Sequence, residues 1–306
     1  MTVRVAGIGT ALPDKIVTNH DLAEQMDTSD AWIRERSGIG SRRVGGLTST
    51  MAIDAAVAAI EDAHLSPADI DFIALATSTP DHTFPGTSTK VAGAIGAQCG
   101  AMDINVACAG FPYAYATVYG LMLTPGGPER ALVIGSDAMS SIVDWTDRST
   151  AILFGDGAGA VVLERHEQGA LLGQDFAVNG ELRSILYCDL ADTIKMEGRE
   201  VFKRAVRAVT GSIENALAQA GLTTADIDVV LPHQANIRIV DAICQRLNIP
   251  MEKTHNVLEH TGNTSAASIP LAMAAANDAG ALQPDAIVLM TGFGAGMAWG
   301  TVVVRW

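Results

Sequence analysis

The 306-residue chain has little charge, little aromatic content and only four cysteines. Lysine and arginine number 20 against 34 aspartates and glutamates, which gives a formal net charge of −14. Phosphate backbones need a basic face, so nucleic acid is excluded as the main partner. Charged residues make up 18% of the chain and hydrophobic residues 48%, which excludes disorder and leaves enough apolar volume for a large core.

The sequence also lacks a secretory leader and paired metal-ligand spacings. Thr2 to Val5 reads as a strand, and the cysteines show no C-x-x-C pair. We therefore expect a cytoplasmic protein with reduced thiols and no metal site. Two charge-free stretches, 104–128 and 286–304, are interrupted by proline and glycine. They predict a buried helix and a strand–turn–strand, not membrane spans, so no membrane partner is expected.

An internal repeat organises the chain. The segment from Leu65 to Asp71 matches the segment from Leu222 to Asp228, an offset of 157 (222 − 65). Each copy follows an amphipathic helical pattern and precedes a β-branched strand. Later pairs, including Cys108 with Asn263, match at an offset of 155 (263 − 108). The repeat predicts an internally duplicated α/β fold with layers α/β/α/β/α and two halves, 1–165 and 166–306, forming one compact unit. Residues 165–195 have no counterpart and read as an insertion.

Cys108 stands where a predicted strand, 102–106, enters the charge-free helix. The start of a helix favours a thiolate, because the macrodipole is positive there. The competing interpretation is a packed apolar cysteine, which we prefer for the other three thiols, Cys99, Cys188 and Cys244.

His233 follows the strand of the second half, at a position where α/β sheets present ligands. Asn263 is the repeat mate of Cys108 by offset, so a pseudo-twofold would bring the two helix starts together. Capping of a helix by Asn263 is the ordinary alternative.

Three segments carry a family resemblance: Asp103–Phe111, Pro232–Arg238 and His260–Ser268. Together they closely resemble β-ketoacyl-acyl carrier protein synthase III, a condensing enzyme of the thiolase superfamily. Further matches near Asp27, Phe154 and Trp299 extend the resemblance over nearly the whole chain. The resemblance implies a thiolase-like five-layer fold.

The resemblance also implies a reaction. Cys108 would take an acyl group from acyl-coenzyme A, and malonyl-acyl carrier protein would lose CO2 and attack the thioester, initiating fatty acid synthesis. His233 and Asn263 would donate hydrogen bonds to the malonyl thioester oxygen. The backbone N–H groups of Cys108 and Ala295 would form the oxyanion hole. No metal or redox cofactor is implied, and coenzyme A enters as the substrate thioester.

Binding residues follow from the same resemblance. Trp32 and Arg148 would sandwich the adenine of coenzyme A, with Thr28 nearby and Arg36 toward phosphate. An interfacial tryptophan and surface arginines are the alternative. Phe84 would reach from one subunit of a homodimer into the acyl pocket of the other.

Five cations on two predicted helices would surround the tunnel mouth. On so acidic a chain they suit an acidic carrier protein, although a solvated helix face explains them equally well. They are Arg199, Lys203, Arg207, Arg238 and Arg246.

Departures from the family pattern leave alternatives open. Arg199 replaces a common asparagine, and Gly294-Ala295-Gly296-Met297 replaces a Gly-Gly-Gly-Phe turn. The acyl primer is therefore undetermined, and a starter-unit enzyme of polyketide or secondary metabolism is the main rival. The sequences of the motifs disfavour a type III polyketide synthase. The internal duplication disfavours a papain-like cysteine hydrolase. The presence of Cys108 disfavours a non-catalytic partner subunit.

Overall fold

A computed structural model of the chain describes residues 2–306. The strands are β1 (Thr2–Ala11), β2 (Ile16–Thr18), β3 (Ser41–Arg43), β4 (Phe72–Ala76), β5 (Gly100–Ile104), β6 (Arg130–Ala138), β7 (Asp156–His166), β8 (Ala170–Val178), β9 (Leu186–Tyr187), β10 (Lys195–Met196), β11 (Val229–Pro232), β12 (Ile287–Gly294) and β13 (Ala298–Arg305). The helices are α1 (Asn19–Ala23), α2 (Asp30–Ser37), α3 (Thr48–Asp62), α4 (Thr87–Ile95), α5 (Gly110–Met122), α6 (Arg148–Ala151), α7 (Gly198–Ala220), α8 (Ile237–Leu247), α9 (Leu258–Thr261) and α10 (Ser268–Asp278).

Two mixed sheets form the frame. The first has the order β1-β7-β6-β4-β5, with β4 parallel to β5 and β6, and β7 antiparallel to both its neighbours. The second has the order β11-β12-β13-β8, with only the β11–β12 pair parallel. The position that corresponds to β5 is reduced in the second half to a parallel bridge between Val230 and Thr254.

Three apolar cores fill the spaces between five layers of helices and sheets. The central core lies between the sheets and holds α5 and α10, through side chains such as Phe111 and Ile269. The second core packs α7 and α8 on the outer face of the second sheet, and the third packs α3 and α4 on the outer face of the first. α5 and α10 carry no charged side chain until Asp278, because both lie between sheets. The predicted five-layer α/β/α/β/α arrangement is confirmed.

Several details of the repeat differ from the sequence interpretation. Residues 170–178 are no insertion: they form β8, which pairs with β13 as β1 pairs with β7.

The 3₁₀ turn Ala107–Ala109 leads into α5, and the 3₁₀ turn Ser265–Ala267 leads into α10. We call these two turns the first and second elbows. They are separated by 158 residues (265 − 107), so the residue that corresponds to Cys108 in the second half is Ala266. Asn263 lies before its elbow, so the predicted pairing of Cys108 with Asn263 is wrong. The strand before Cys108 also begins and ends two residues earlier than predicted.

The cysteines and the apolar stretches can also be placed. Cys244 is buried on the apolar face of α8, as expected for a packed thiol. Cys188 is exposed, so the packed interpretation is wrong for that residue. None of the helices within residues 2–306 is long and apolar enough to cross a membrane.

Candidate active site

Cys108, His233 and Asn263 line one cavity of about 670 Å³ between the two halves. Their exposed fractions are 8%, 3% and 5%, so each side chain is almost fully withdrawn from solvent. Cys108 comes from the first elbow, His233 from the end of β11, and Asn263 from the loop before the second elbow. The structure thus brings together the three residues that the sequence predicted to act together.

The elbow of Cys108 is a tight turn between β5 and α5. Ala107, directly before Cys108, has a φ of 46°, in the left-handed region that non-glycine residues rarely adopt. Burial raises the pKa of the Cys108 thiol to about 12, and the charge of Asp137 acts in the same direction. Burial therefore opposes the thiolate that the helix start favours, because desolvation disfavours the charged form.

The glycine turn after β12 approaches the backbone of Cys108. A Cβ added at Gly294 would lie 2.6 Å from the backbone nitrogen of Cys108, so only glycine allows this approach. Ala295, the next residue, lines the same cavity. The two backbone segments proposed for an oxyanion hole are therefore neighbours.

His233 is held by its backbone and on its ring. Its N–H donates to the carbonyl of Thr291 at 2.7 Å, which extends the β11–β12 pairing by one residue. The ring Nδ1 lies 2.7 Å from the Ser268 hydroxyl, and the Phe293 ring packs edge-on at a centroid distance of 5.5 Å. Burial lowers the pKa of His233 to about 3, so the imidazole is neutral at physiological pH.

Asn263 is fixed from the other half of the chain. Its N–H donates to Leu153 O at 2.8 Å, and its carbonyl accepts from Gly155 N at 3.0 Å. Its side-chain Oδ1 accepts from Ser265 N at 2.9 Å. The oxygen is thereby engaged, which leaves the amide Nδ2 as the group available for donation.

Two arginines predicted to bind the nucleotide, Arg36 and Arg148, lie over the ring of Trp32, which lines the cavity. Trp32 and Arg36 line the cavity. The guanidinium of Arg148 lies 4.9 Å from the centroid of the Trp32 ring, and that of Arg36 lies at 5.7 Å. Arg148 thus stacks directly on the indole, and a base would have to enter between them. Thr28 does not line the cavity, and its Oγ1 is buried without a hydrogen-bond partner among residues 2–306.

The five predicted docking cations are all exposed. Arg199 and Arg238 line the cavity, with Arg199 at the start of α7 and Arg238 at the start of α8. Arg238 also stacks over the Phe202 ring at 5.9 Å. The other three, Lys203, Arg207 and Arg246, lie further along the two helices and do not line the cavity.

Phe84 does not line the cavity of its own subunit. Its side chain is 83% exposed, on the loop between β4 and α4. β5 lies at the edge of the first sheet, where its outer hydrogen-bonding groups face no strand of this chain.

Sequence reasoning gave no role to two buried groups around the site. Ser268 contacts His233, although it ends the His260–Ser268 motif that carried the resemblance. Asp137, fully buried at the end of β6, accepts from Ala266 N at 3.0 Å and from Ser78 N at 2.7 Å, and burial raises its pKa. The polar pair Ser136-Asp137 at the end of an apolar strand was the sequence feature that could have indicated this buried carboxylate.

Comparison with known proteins identifies the family. Residues 102–180 match the family 3-oxoacyl-[acyl-carrier-protein (ACP)] synthase III, and residues 217–306 match its C-terminal domain. The beta-ketoacyl-[acyl-carrier-protein] synthase III 1 of Bacillus anthracis is 47% identical, with 100% of this chain and 99% of that protein covered. The beta-ketoacyl-[acyl-carrier-protein] synthase III of Erythrobacter litoralis is 45% identical, with 99% and 98% covered.

Solved structures agree in fold and sequence. The 3-oxoacyl-[acyl-carrier-protein] synthase III of Aquifex aeolicus VF5 superposes with a TM-score of 0.97 at 42% identity, covering 99% of this chain and 100% of that one. The priming β-ketosynthase of the R1128 polyketide pathway has a TM-score of 0.94 at 33% identity, covering 99% and 96%. This chain belongs to the β-ketoacyl-acyl carrier protein synthase III family and is a condensing acyltransferase of the thiolase fold.

Proposed function

We propose that the protein condenses an acyl-coenzyme A primer with malonyl-acyl carrier protein, the reaction that initiates fatty acid synthesis. The observation that carries this proposal is the common cavity of Cys108, His233 and Asn263. A thiol, a neutral imidazole and an amide whose oxygen is already engaged supply one nucleophile and two hydrogen-bond donors. No further cofactor enters the proposed reaction.

In the first half-reaction, the Cys108 sulfur attacks the carbonyl carbon of acyl-coenzyme A. The carbon–sulfur bond to coenzyme A breaks, the acyl group remains on Cys108 as a thioester, and the thiol proton passes to the departing coenzyme A sulfur. The N–H groups of Cys108 and Ala295 stabilise the oxyanion of the tetrahedral intermediate. Burial favours the protonated thiol, so in the proposed step deprotonation accompanies attack.

In the second half-reaction, malonyl-carrier protein loses CO2 and leaves an enolate. His233 Nε2 and Asn263 Nδ2 donate to the thioester oxygen as negative charge develops on it. The enolate carbon bonds to the acyl carbon, the bond to Cys108 breaks, and the thiolate takes one proton from solvent. The products are a β-ketoacyl-carrier protein, CO2 and, from the first step, coenzyme A.

The two substrates use different parts of the entrance. We propose that coenzyme A places its adenine between Trp32 and Arg148, with Arg36 toward phosphate and Thr28 nearby. The carrier protein docks on the five cations of α7 and α8. In a cytoplasmic homodimer, Phe84 of one subunit closes the acyl pocket of the other.

Intact-mass measurement of the two half-reactions tests this function. Wild-type protein incubated with acyl-coenzyme A should gain one acyl mass, and Cys108→Ala should gain none. Cys188→Ala is the matched control, because Cys188 lines the same cavity, and it should acylate normally. His233→Ala and Asn263→Ala should retain acylation and lose about 10²–10³ in malonyl decarboxylation. Acylation of Cys108→Ala would refute the nucleophile, and equal damage to both half-reactions would refute the division of roles.

A starter-unit role in polyketide synthesis is the second candidate. The similarity to the R1128 priming ketosynthase and the presence of Arg199 at the cavity entrance support it. Acylation by a panel of acyl-coenzyme A thioesters separates the two, because a starter-unit role predicts an unusual acyl primer. Selective use of an unusual acyl group would favour the second role.

A further inference from the structure

Ser268 occupies a fully buried position beside the imidazole of His233. It is the first residue of α10, and its side chain has no exposed surface. Its Oγ lies 2.7 Å from His233 Nδ1 and accepts from Gln234 N at 3.3 Å. Within residues 2–306 these are the two hydrogen-bond contacts of this hydroxyl.

The protons at this hydroxyl can be assigned from what each partner is able to do. The Gln234 N–H is only a donor, so it uses a lone pair of the Ser268 oxygen. The hydroxyl proton then has one acceptor within reach, His233 Nδ1. If Nδ1 carried a proton instead, the buried hydroxyl proton would have no acceptor, which is unfavourable for a group withdrawn from water.

We infer that Ser268 is a positioning residue that fixes His233 as the tautomer with its proton on Nε2. The inference rests on the proposed function, because only a donor at Nε2 can stabilise an oxygen that gains negative charge. A proton on Nδ1 would leave the Nε2 lone pair facing that oxygen, and the interaction would become repulsive. The backbone of Ser265 also interacts with the imidazole of His233.

The first turn of α10 and its elbow thus serve both donors. Ser265 N engages Asn263 Oδ1 and so orients the amide, while Ser268 engages His233 Nδ1 and so sets the imidazole proton. The ring plane is held separately by the edge-on contact with Phe293. Removing the Ser268 hydroxyl should therefore change the proton position and leave the ring in place.

Nitrogen-15 NMR of histidine-labelled wild-type protein tests the inference directly, with His233→Ala used to assign the signals. The expected result is a protonated Nε2 and an unprotonated Nδ1 at His233. A protonated Nδ1 in the wild-type protein would overturn the inference. This measurement needs no Ser268 variant to fold, and it is independent of whether the proposed reaction occurs.

Variants supply the functional test. Ser268→Ala should lose about tenfold to 10²-fold in malonyl decarboxylation, less than loss of the donor itself, and Cys108 acylation should stay within about twofold. Ser268→Thr keeps the hydroxyl and should restore most of the rate. Ser212→Ala is the matched control, because it removes another buried serine hydroxyl, which contacts Thr301 on the outer face of the second sheet.

The outcomes separate the inference from the proposed function. Wild-type decarboxylation by Ser268→Ala would overturn the positioning role, as would equal loss of both half-reactions together with a lowered Tm. Absence of both half-reactions in the wild-type protein would instead refute the proposed function, and the NMR result would still decide the tautomer.

Discussion

Ala266 holds the place in the second half of the chain that Cys108 holds in the first. A Cβ added at Gly135 on β6 would lie 2.3 Å from the Ala266 carbonyl oxygen, and one added at Gly292 on β12 would lie 3.0 Å from the Cys108 carbonyl oxygen. Each half therefore uses a glycine of one strand to admit the elbow of the other half.

The residues that open the two elbows share an unusual backbone conformation. Ala107 has a φ of 46° and Ser265 a φ of 51°, both left-handed. Such conformations cost of order 1–3 kcal/mol each and persist where surrounding structure requires them. In the proposed reaction the two elbows have different roles: the first carries the nucleophile, and the second orients the hydrogen-bond donors.

The raised pKa of Cys108 predicts how its reactivity depends on pH. In a Cys188→Ser background, the rate of alkylation by iodoacetamide should rise about tenfold per pH unit from pH 7 to pH 9, because the thiolate fraction does so below the pKa. The measurement is the loss of unmodified mass over time. A plateau below pH 8 would show that the helix start lowers the pKa after all.

The stack on Trp32 predicts a defect specific to the nucleotide. Trp32→Ala and Arg148→Ala should raise the KM for acyl-coenzyme A by roughly three- to thirtyfold, since a cation–π contact contributes about 0.5–2 kcal/mol. Acylation by an N-acetylcysteamine thioester, which has no adenine, should not change. Arg34→Ala is the control on the same helix, because Arg34 pairs with Asp30 and Glu259. Equal defects with both thioesters would show that Trp32 supports the structure of the cavity and does not bind the nucleotide specifically.

The effect of charge reversal on carrier-protein docking should decrease along α8 from Arg238 to Arg246. Arg238→Glu should raise the KM for malonyl-carrier protein more than Arg246→Glu, because only Arg238 lines the cavity. Acylation of Cys108 by a coenzyme A thioester should be nearly unchanged in both variants. The defect should shrink with added salt, since exposed charges are screened beyond about 8–10 Å at 0.1–0.15 M. If neither variant changed the KM for malonyl-carrier protein, these cations would simply be solvent-exposed residues on a helix face.

Phe84 should contribute to dimer formation. Phe84→Asp should shift the protein toward monomer at micromolar concentration, because an apolar side chain that is 83% exposed in one subunit would become a charge inside the contact. Light scattering measures the change. Leu123→Asp, at an apolar side chain that is 47% exposed beyond α5, should remain dimeric. A wild-type monomer would refute the dimer and the acyl-pocket role of Phe84 together.

The fold class and the family were predictable from sequence because both depend on local patterns. The strand of Phe72–Ala76 has the predicted bounds, and the buried helices follow from charge-free stretches. The repeat register at the elbows was not predictable, because three residues more separate the elbows than the matched sequence letters suggest. Asn263 was therefore assigned to an elbow that it precedes.

The electrostatics of the site also lay beyond the sequence. A helix start indicates a lowered thiol pKa, but the sign of the shift depends on how completely other layers bury Cys108. The role of Ser268 depends on which atoms meet across the two halves of the site. Only its place at the end of a motif was visible in the letters.

The backbone pairing of Asn263 with Leu153 and Gly155 has a consequence for local opening. These two hydrogen bonds join the halves at the active site, so they break only when the loop that holds Asn263 moves away from the segment before β7. After correction for their intrinsic exchange rates, the amide protons of Asn263 and Gly155 should therefore give the same free energy of opening. Their exchange reports, without any substrate, how often the enzyme is assembled in a form able to react.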